Sequence, residues 1–306
     1  MEYTENNWIN CMEGFAGFIQ TVPPQSARPV KIAVLDSGFD DSPDICDDRF
    51  AWITSWYRKN STGMLNMYFS RHSGKRWTRM SALISQICPR SRLYVGLLEE
   101  SPDVNGNSGR LWATLESVIE AIIWAVECGV DIISIPCGVN GDLDDWSLHA
   151  AISLATRRGI LVCWSGETPI LFRDGGTGLV CKSTGRSGLY PREHPRGYFL
   201  FPKGDIAFVD SDEVNVSYES GDAMATAVAS GLAGQVVYCA GLAGKTYDWL
   251  ESEDMFERKV KLPDIGDFLN RNLEKLLLLY LKGKRREADL GNGLLEDFLY
   301  CCGLHG

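Results

Sequence analysis

Short apolar runs rich in β-branched residues alternate along this chain with segments of helical periodicity, and each change between the two is marked by Gly, Pro, Asp or Ser. Val30-Lys-Ile-Ala-Val-Leu35, stopped by Asp36-Ser37-Gly38, reads as a strand buried on both faces. Met80, Leu83, Ile84 and Ile87 recur at the spacing of one helix face, and the strand Arg92–Leu98 follows. The alternation repeats with a helix over Leu115–Val126, a strand over Val130–Ile135, a helix over Leu148–Ala155 and a strand over Gly159–Cys163. Residues 1–28 read as an N-terminal helix and a Pro-rich lead-in. Ile265–Leu281 and Leu294–Tyr300 read as helices of a C-terminal extension over 245–306. Strand, helix, strand in this order predicts an α/β fold, a mostly parallel sheet flanked by helices, in one domain of 306 residues.

The stretch Ser217–Gly234 stands apart. After Gly221-Asp222, Ala223, Ala225, Ala227, Ala229, Gly231 and Ala233 keep the segment small, while Met224, Val228 and Leu232 form an apolar stripe. Such a helix can approach neighbouring backbone closely, so it is expected at the centre of the core.

Composition narrows the partners. A net charge of −10 gives no reason to bind nucleic acid or an anionic membrane. No apolar run approaches the ~18 residues of a membrane span. Ten cysteines lie mostly inside apolar runs, where a free thiol packs as a small hydrophobe, and neither they nor the four histidines have metal-ligand spacing. Met1–Trp8 is acidic where a secretory signal would be basic. A cytoplasmic protein without metal or cofactor is the expectation, and its oligomeric state is left open.

Four blocks, in order, resemble the subtilisin-like serine proteases, including their fungal members. Asp36-Ser37-Gly38 matches the strand end that supplies the triad carboxylate. Thr78, Ser81, Leu83-Ile84, Pro89 and Leu93-Tyr94-Val95 match the helix and strand that follow the catalytic histidine. Ile122, Trp124-Ala125, Gly129-Val130-Asp131 and Ile132-Ile133-Ser134 match the next helix and strand, and Gly221-Asp222-Ala223-Met224-Ala225-Thr226 matches the helix that carries the nucleophile. The resemblance covers about residues 30–240 and implies the three-layer subtilisin-like architecture. It also implies a degenerate site. Ala223 stands at the serine, Arg76 at the histidine, Trp77 at the neighbouring glycine, and Glu167 near the oxyanion-stabilising amide.

A hydrolase of this kind needs a hydroxyl, a base and oxyanion donors. Alanine supplies no hydroxyl, and arginine stays protonated. The resemblance therefore implies a protein without protease activity, whose cleft carries Asp36, Arg76 and Glu167 as candidate catalytic groups. Trp77, Pro136, Cys137, Trp164, Ala223 and Met224 are candidate walls for a small, largely apolar substrate. Orientation and Arg76 polarisation would suit a cyclisation, cycloaddition or isomerisation. A pseudoprotease that acts as an interaction domain is the alternative, and a residual peptidase using His72 is a third reading. Pro136 has no N–H to offer where the family pairs an extended peptide with the backbone after this strand.

Overall fold

The computed structural model describes residues 6–21, 23–24, 27–37, 50–56, 76–102, 111–165, 178–183, 192–194, 198–201, 206–209, 216–219 and 221–247. In chain order these form α1 (Asn6–Thr21), β1 (Val30–Ser37), β2 (Phe50–Ser55), α2 (Arg76–Ile87), β3 (Ser91–Leu98), β4 (Glu100–Pro102), β5 (Leu111–Thr114) and α3 (Leu115–Glu127). Then come β6 (Ile132–Ile135), β7 (Val139–Asn140), α4 (Trp146–Arg157), β8 (Leu161–Ser165), β9 (Gly178–Ser183), β10 (Arg192–His194), β11 (Tyr198–Phe201), β12 (Ile206–Val209), β13 (Val216–Glu219) and α5 (Asp222–Tyr247). The helices expected over 265–281 and 294–300 lie outside the described residues.

The main sheet has eight strands in the order β10-β11-β9-β8-β6-β1-β3-β2. All neighbours run parallel except the edge pair β10 and β11. This is the α/β sheet that the alternation of elements predicts. A parallel sheet needs helices on both faces. Here α2 and α5 pack on one face, with Ile32, Val34, Ile84, Ile87, Met224 and Val228 among the core side chains, and α1 packs on α2. On the other face α3 and α4 bury Ala33, Leu35, Ile133, Ile135, Val118, Ile122, Leu148 and Ile152. The alternation within β1, Ile32 and Val34 to one side and Ala33 and Leu35 to the other, divides the core into these two layers.

Sequence pattern reached the long parallel strands and missed the short ones. β2 is an edge strand on which Trp52 and Ile53 are exposed, so it has no burial pattern to read. β4, β5 and β7 form a separate three-stranded sheet of two to four residues per strand. The N-terminal helix ends at Thr21, ahead of the Pro-rich lead-in, and the α4 helix starts at Trp146, two residues before its expected start, because Asp145 caps it by accepting from the Ser147 and Leu148 amides.

The small-residue helix α5 is buried as expected. Gly231 sits against Ile87 and the Ile84 carbonyl, and Gly234 against Ile32 and Cys88, each so close that an added Cβ would come within 2.9 Å and 2.8 Å of its nearest neighbour. Gly221, with φ +121°, turns the chain into the helix, and its carbonyl accepts the Ala225 amide at 3.1 Å. The thiols beneath α5 are packing groups: burial pushes Cys239 up to about 12, and burial together with the neighbouring Cys239 holds Cys88 well above its ordinary value. The packing at Gly231 meets a backbone carbonyl that cannot rotate away. Gly231→Leu is therefore expected to lower stability by about 2–3 kcal/mol, measured as a reduced urea midpoint with unchanged slope, whereas a neutral effect would mean that α5 does not lie against α2.

Candidate functional site

In an open parallel sheet, ligands gather at the carboxyl ends of the strands, at the point where the strand order reverses. That point is β1. From it the chain passes to β2 and β3 on one side and later to β6, β8 and β9 on the other. Asp36 and Ser37 end β1, and Pro136-Cys137 follows β6, which pairs with β1 through Ile32, Ala33 and Val34.

The helix starts face the same edge. α2 leads into β3, whose first residue Ser91 is paired with Val30, the first residue of β1, so α2 ends at the amino edge and begins at the carboxyl edge. α5 also runs against the strands. Its residues Gly234 and Gly241 approach Ile32 and Ala27 near the start of β1, while its first residue meets Ser183 at the end of β9. Asp36, the backbone of Arg76 and Trp77, Pro136, Cys137, Ser165, Ser183 and Ala223 thus all belong to one edge of the sheet.

Asp36 is fully buried, and its Oδ1 accepts the Ser37 amide at 2.8 Å. Cys137 is buried too, and its thiol donates to the Leu35 carbonyl at 3.7 Å. Pro136 is buried beside it. Ala223 is half-buried against the α5 core. The Arg76 and Trp77 side chains, and all of Glu167 and His72, lie outside the described residues. Two expected wall residues are not walls. Trp164 is 1% exposed and packs in the α3–α4 layer, and Met224 is 1% exposed in the α5 layer. The reason is the parallel strand: β8 is covered on both faces, so Cys163 and Trp164 point into opposite cores and neither ring nor thiol is left for a ligand.

Sequence reasoning missed Asp222. Its Oδ1 accepts both the amide and the hydroxyl of Ser183, each at 2.8 Å, and its carbonyl accepts the Thr226 hydroxyl at 2.8 Å. A carboxylate in the first turn also compensates the positive end of the helix dipole. The signal was present as an Asp directly after a turn glycine at a helix start. Just below, Cys181 is held well above the ordinary thiol range by burial and then by its hydrogen bond with Cys163, so it is no nucleophile at neutral pH. Among the described residues, no group of three or more His, Cys, Asp or Glu side chains could hold a metal ion.

Sequence reasoning also missed Trp112. After β6, where Pro136 is expected to weaken any pairing with an extended peptide, Gly138 is paired within the chain: the Ala113 amide donates to its carbonyl at 3.0 Å, and the Trp112 ring lies over it.

The sequence matches no family model and no curated protein. The solved structure of the subtilase cytotoxin SubAB is similar at 18% identity over 84% of this chain and 94% of that one, with a TM-score of 0.51. The patellamide maturation protease PatA gives 17%, 77%, 92% and 0.49. The epidermin leader peptide processing serine protease EpiP from Staphylococcus aureus gives 13%, 76%, 73% and 0.48. The chain has a subtilisin-like fold. At these identities the likeness carries architecture and not activity. Within the subtilisin-like fold, the edge that gathers Asp36 and Ala223 is the candidate site.

The Asp222 link joins β9 to α5 and fixes the approach of the helix to that edge. Asp222→Ala is expected to cost about 2 kcal/mol, since it removes two hydrogen bonds to a charged acceptor and leaves the Ser183 donors unpaired. Asp222→Asn, which keeps an acceptor, should lose about half as much. Equal denaturant midpoints for wild type and Asp222→Ala would show that the link is not formed in solution.

Proposed function

We propose that this chain is a proteolytically inactive subtilisin-like domain that acts by binding a partner. The observation that carries the reading is Ala223, half-exposed in the first turn of α5, at the same sheet edge as Asp36. A methyl group has no proton to give up and no lone pair with which to attack a carbonyl. In subtilisin, loss of either the serine or the histidine costs about a million-fold in turnover. The resemblance places Arg76 at the base, and a guanidinium is protonated throughout the working range. The closed backbone at Gly138 supports the same reading, because it leaves no open edge toward β5 for an extended substrate.

A second reading is favoured by the switch-point crevice itself. Asp36 is a buried carboxylate at the place where α/β folds hold small ligands. A small organic ligand held there by Asp36, Arg76 and Glu167 would meet orientation and a polarising guanidinium, the equipment of a non-hydrolytic isomerase or cyclase. The core positions of Trp164 and Met224 take two walls from that pocket, which is why the binding domain is put first. In both readings the protein is placed in the cytoplasm. Six free thiols among the described residues support a reducing compartment, and no described helix is long and apolar enough to cross a membrane.

Restoring the hydroxyl tests the reading. The Ala223→Ser chain is expected to remain unlabelled by a fluorophosphonate probe in gel fluorescence, because the resemblance puts Arg76, which cannot accept a proton, at the position of the base. Labelling of that variant at a rate comparable with an authentic serine hydrolase would reveal a working base, His72 being the one to examine, and would overturn the proposal.

A further inference from the structure

The main sheet ends on a strand with one side open. β2 pairs with β3 alone, and among the described residues no strand lies beyond it. Its register with β3 shifts between Phe50 and Trp52 and then runs regularly. The Trp56 amide donates to the Leu97 carbonyl at 2.9 Å, so Trp56, Thr54 and Trp52 turn their backbone groups toward β3, and Ile53, by alternation, turns its N–H and C=O outward.

Proteins commonly blunt such an edge with charge or proline. The opposite edge of this sheet carries charge, since β10 reads Arg192-Glu193-His194. β2 has neither: Phe50-Ala-Trp-Ile-Thr-Ser55 holds no charge and no proline. It is instead apolar on both faces. Trp52, opposite Tyr94, stands on the α3 side and is 59% exposed, while Ile53, opposite Val95, stands on the α2 side and is 41% exposed. On the α3 side an aromatic surface continues, with Trp124 edge-to-face with Trp56 at 5.6 Å and with Tyr94 at 6.4 Å, and Ile123 exposed beside it.

The charges around this edge select its partner. At the amino end Lys31 and the exposed Arg92 are neighbours in the β1–β3 pair, and the Lys31 ammonium donates to the Cys128 carbonyl just past the end of α3. α3 therefore runs against the strands. Its exposed Glu116 and Glu120 lie toward their carboxyl end, and Glu127, at the amino end, offsets only one of the two cations there. One end of the edge is thus basic and the other acidic. Laid antiparallel on a second copy of itself, the edge brings each basic end beside the other copy's acidic end, and does so twice by symmetry. That local match also opposes the long-range repulsion between two chains of net charge −10.

We propose that β2 is a dimerisation edge, pairing antiparallel with β2 of a second copy about a twofold axis at Ile53 and joining the two main sheets into one. The outward backbone groups of Ile53 then bond those of its copy, and the two Ile53 side chains cover each other on the α2 side. On the α3 side Trp52 lies opposite the second copy's Thr54 and diagonal to its Trp56. The inference goes beyond the loss of hydrolysis, because no residue of the candidate site belongs to this lateral edge.

Sedimentation velocity of the full chain tests it. At about 50 µM the wild type should sediment as a dimer, whereas Ile53→Lys, which puts charge on the axis, and Trp52→Lys should each sediment as a monomer, a loss of at least about thirtyfold in affinity. Arg92→Glu should weaken the dimer about fivefold at low salt, and Arg92→Glu with Glu120→Arg should recover it. Circular dichroism identical to wild type separates lost association from lost folding, and should a lysine variant unfold, the Arg92 and Glu120 pair of variants carries the comparison. A monomeric wild type at that concentration, or a dimer that survives both lysine variants, overturns the proposal.

Discussion

Everything in this fold depends on how closely α5 lies to the sheet and to α2. Parallel strands bury both faces, and a helix crossing the middle of such a sheet must do so without large side chains on its contact surface. The run of Ala and Gly from Ala223 to Gly234 meets that requirement: Gly231 sits on α2 and Gly234 on β1 and Cys88. One consequence is stability through close packing. The other is placement, for a helix fixed along its length also fixes its first turn, and the first turn of α5 is the candidate site.

That first turn is held a second time from outside. Asp222 ties α5 to the end of β9 through Ser183, and Thr226 closes the turn from within. The carboxylate satisfies the Ser183 donors and compensates the helix dipole in the first turn of α5. The edge gathers Asp36 and the first turn of α5, and the Asp222 contacts there hold the helix to the sheet.

How much of this could be read from the sequence follows from how each feature is encoded. The long parallel strands were legible because burial on both faces leaves a run such as Val30–Leu35 with little polar interruption, and α5 because its small residues repeat over about three turns. Asp36 and Ala223 were placed on one edge correctly because they sit at the ends of those legible elements. The role of Trp164 was misread: the residue was seen as a large ring at a strand end, but its face is set by alternation with Cys163 and by the α3–α4 layer, which is a tertiary fact. β5 and β7 were invisible because strands of two to four residues have no period to detect. The Trp112 contact with Gly138 joins positions far apart in the fold's order, and no local pattern announces it.

Most direct for the central claim, that the fold persists here without its hydrolytic chemistry, is turnover of an unfolded protein by the wild-type chain, followed as new N-termini by mass spectrometry. The account predicts none above buffer after prolonged incubation at high enzyme concentration. New N-termini that appear with wild type and vanish with Asp36→Ala would contradict it.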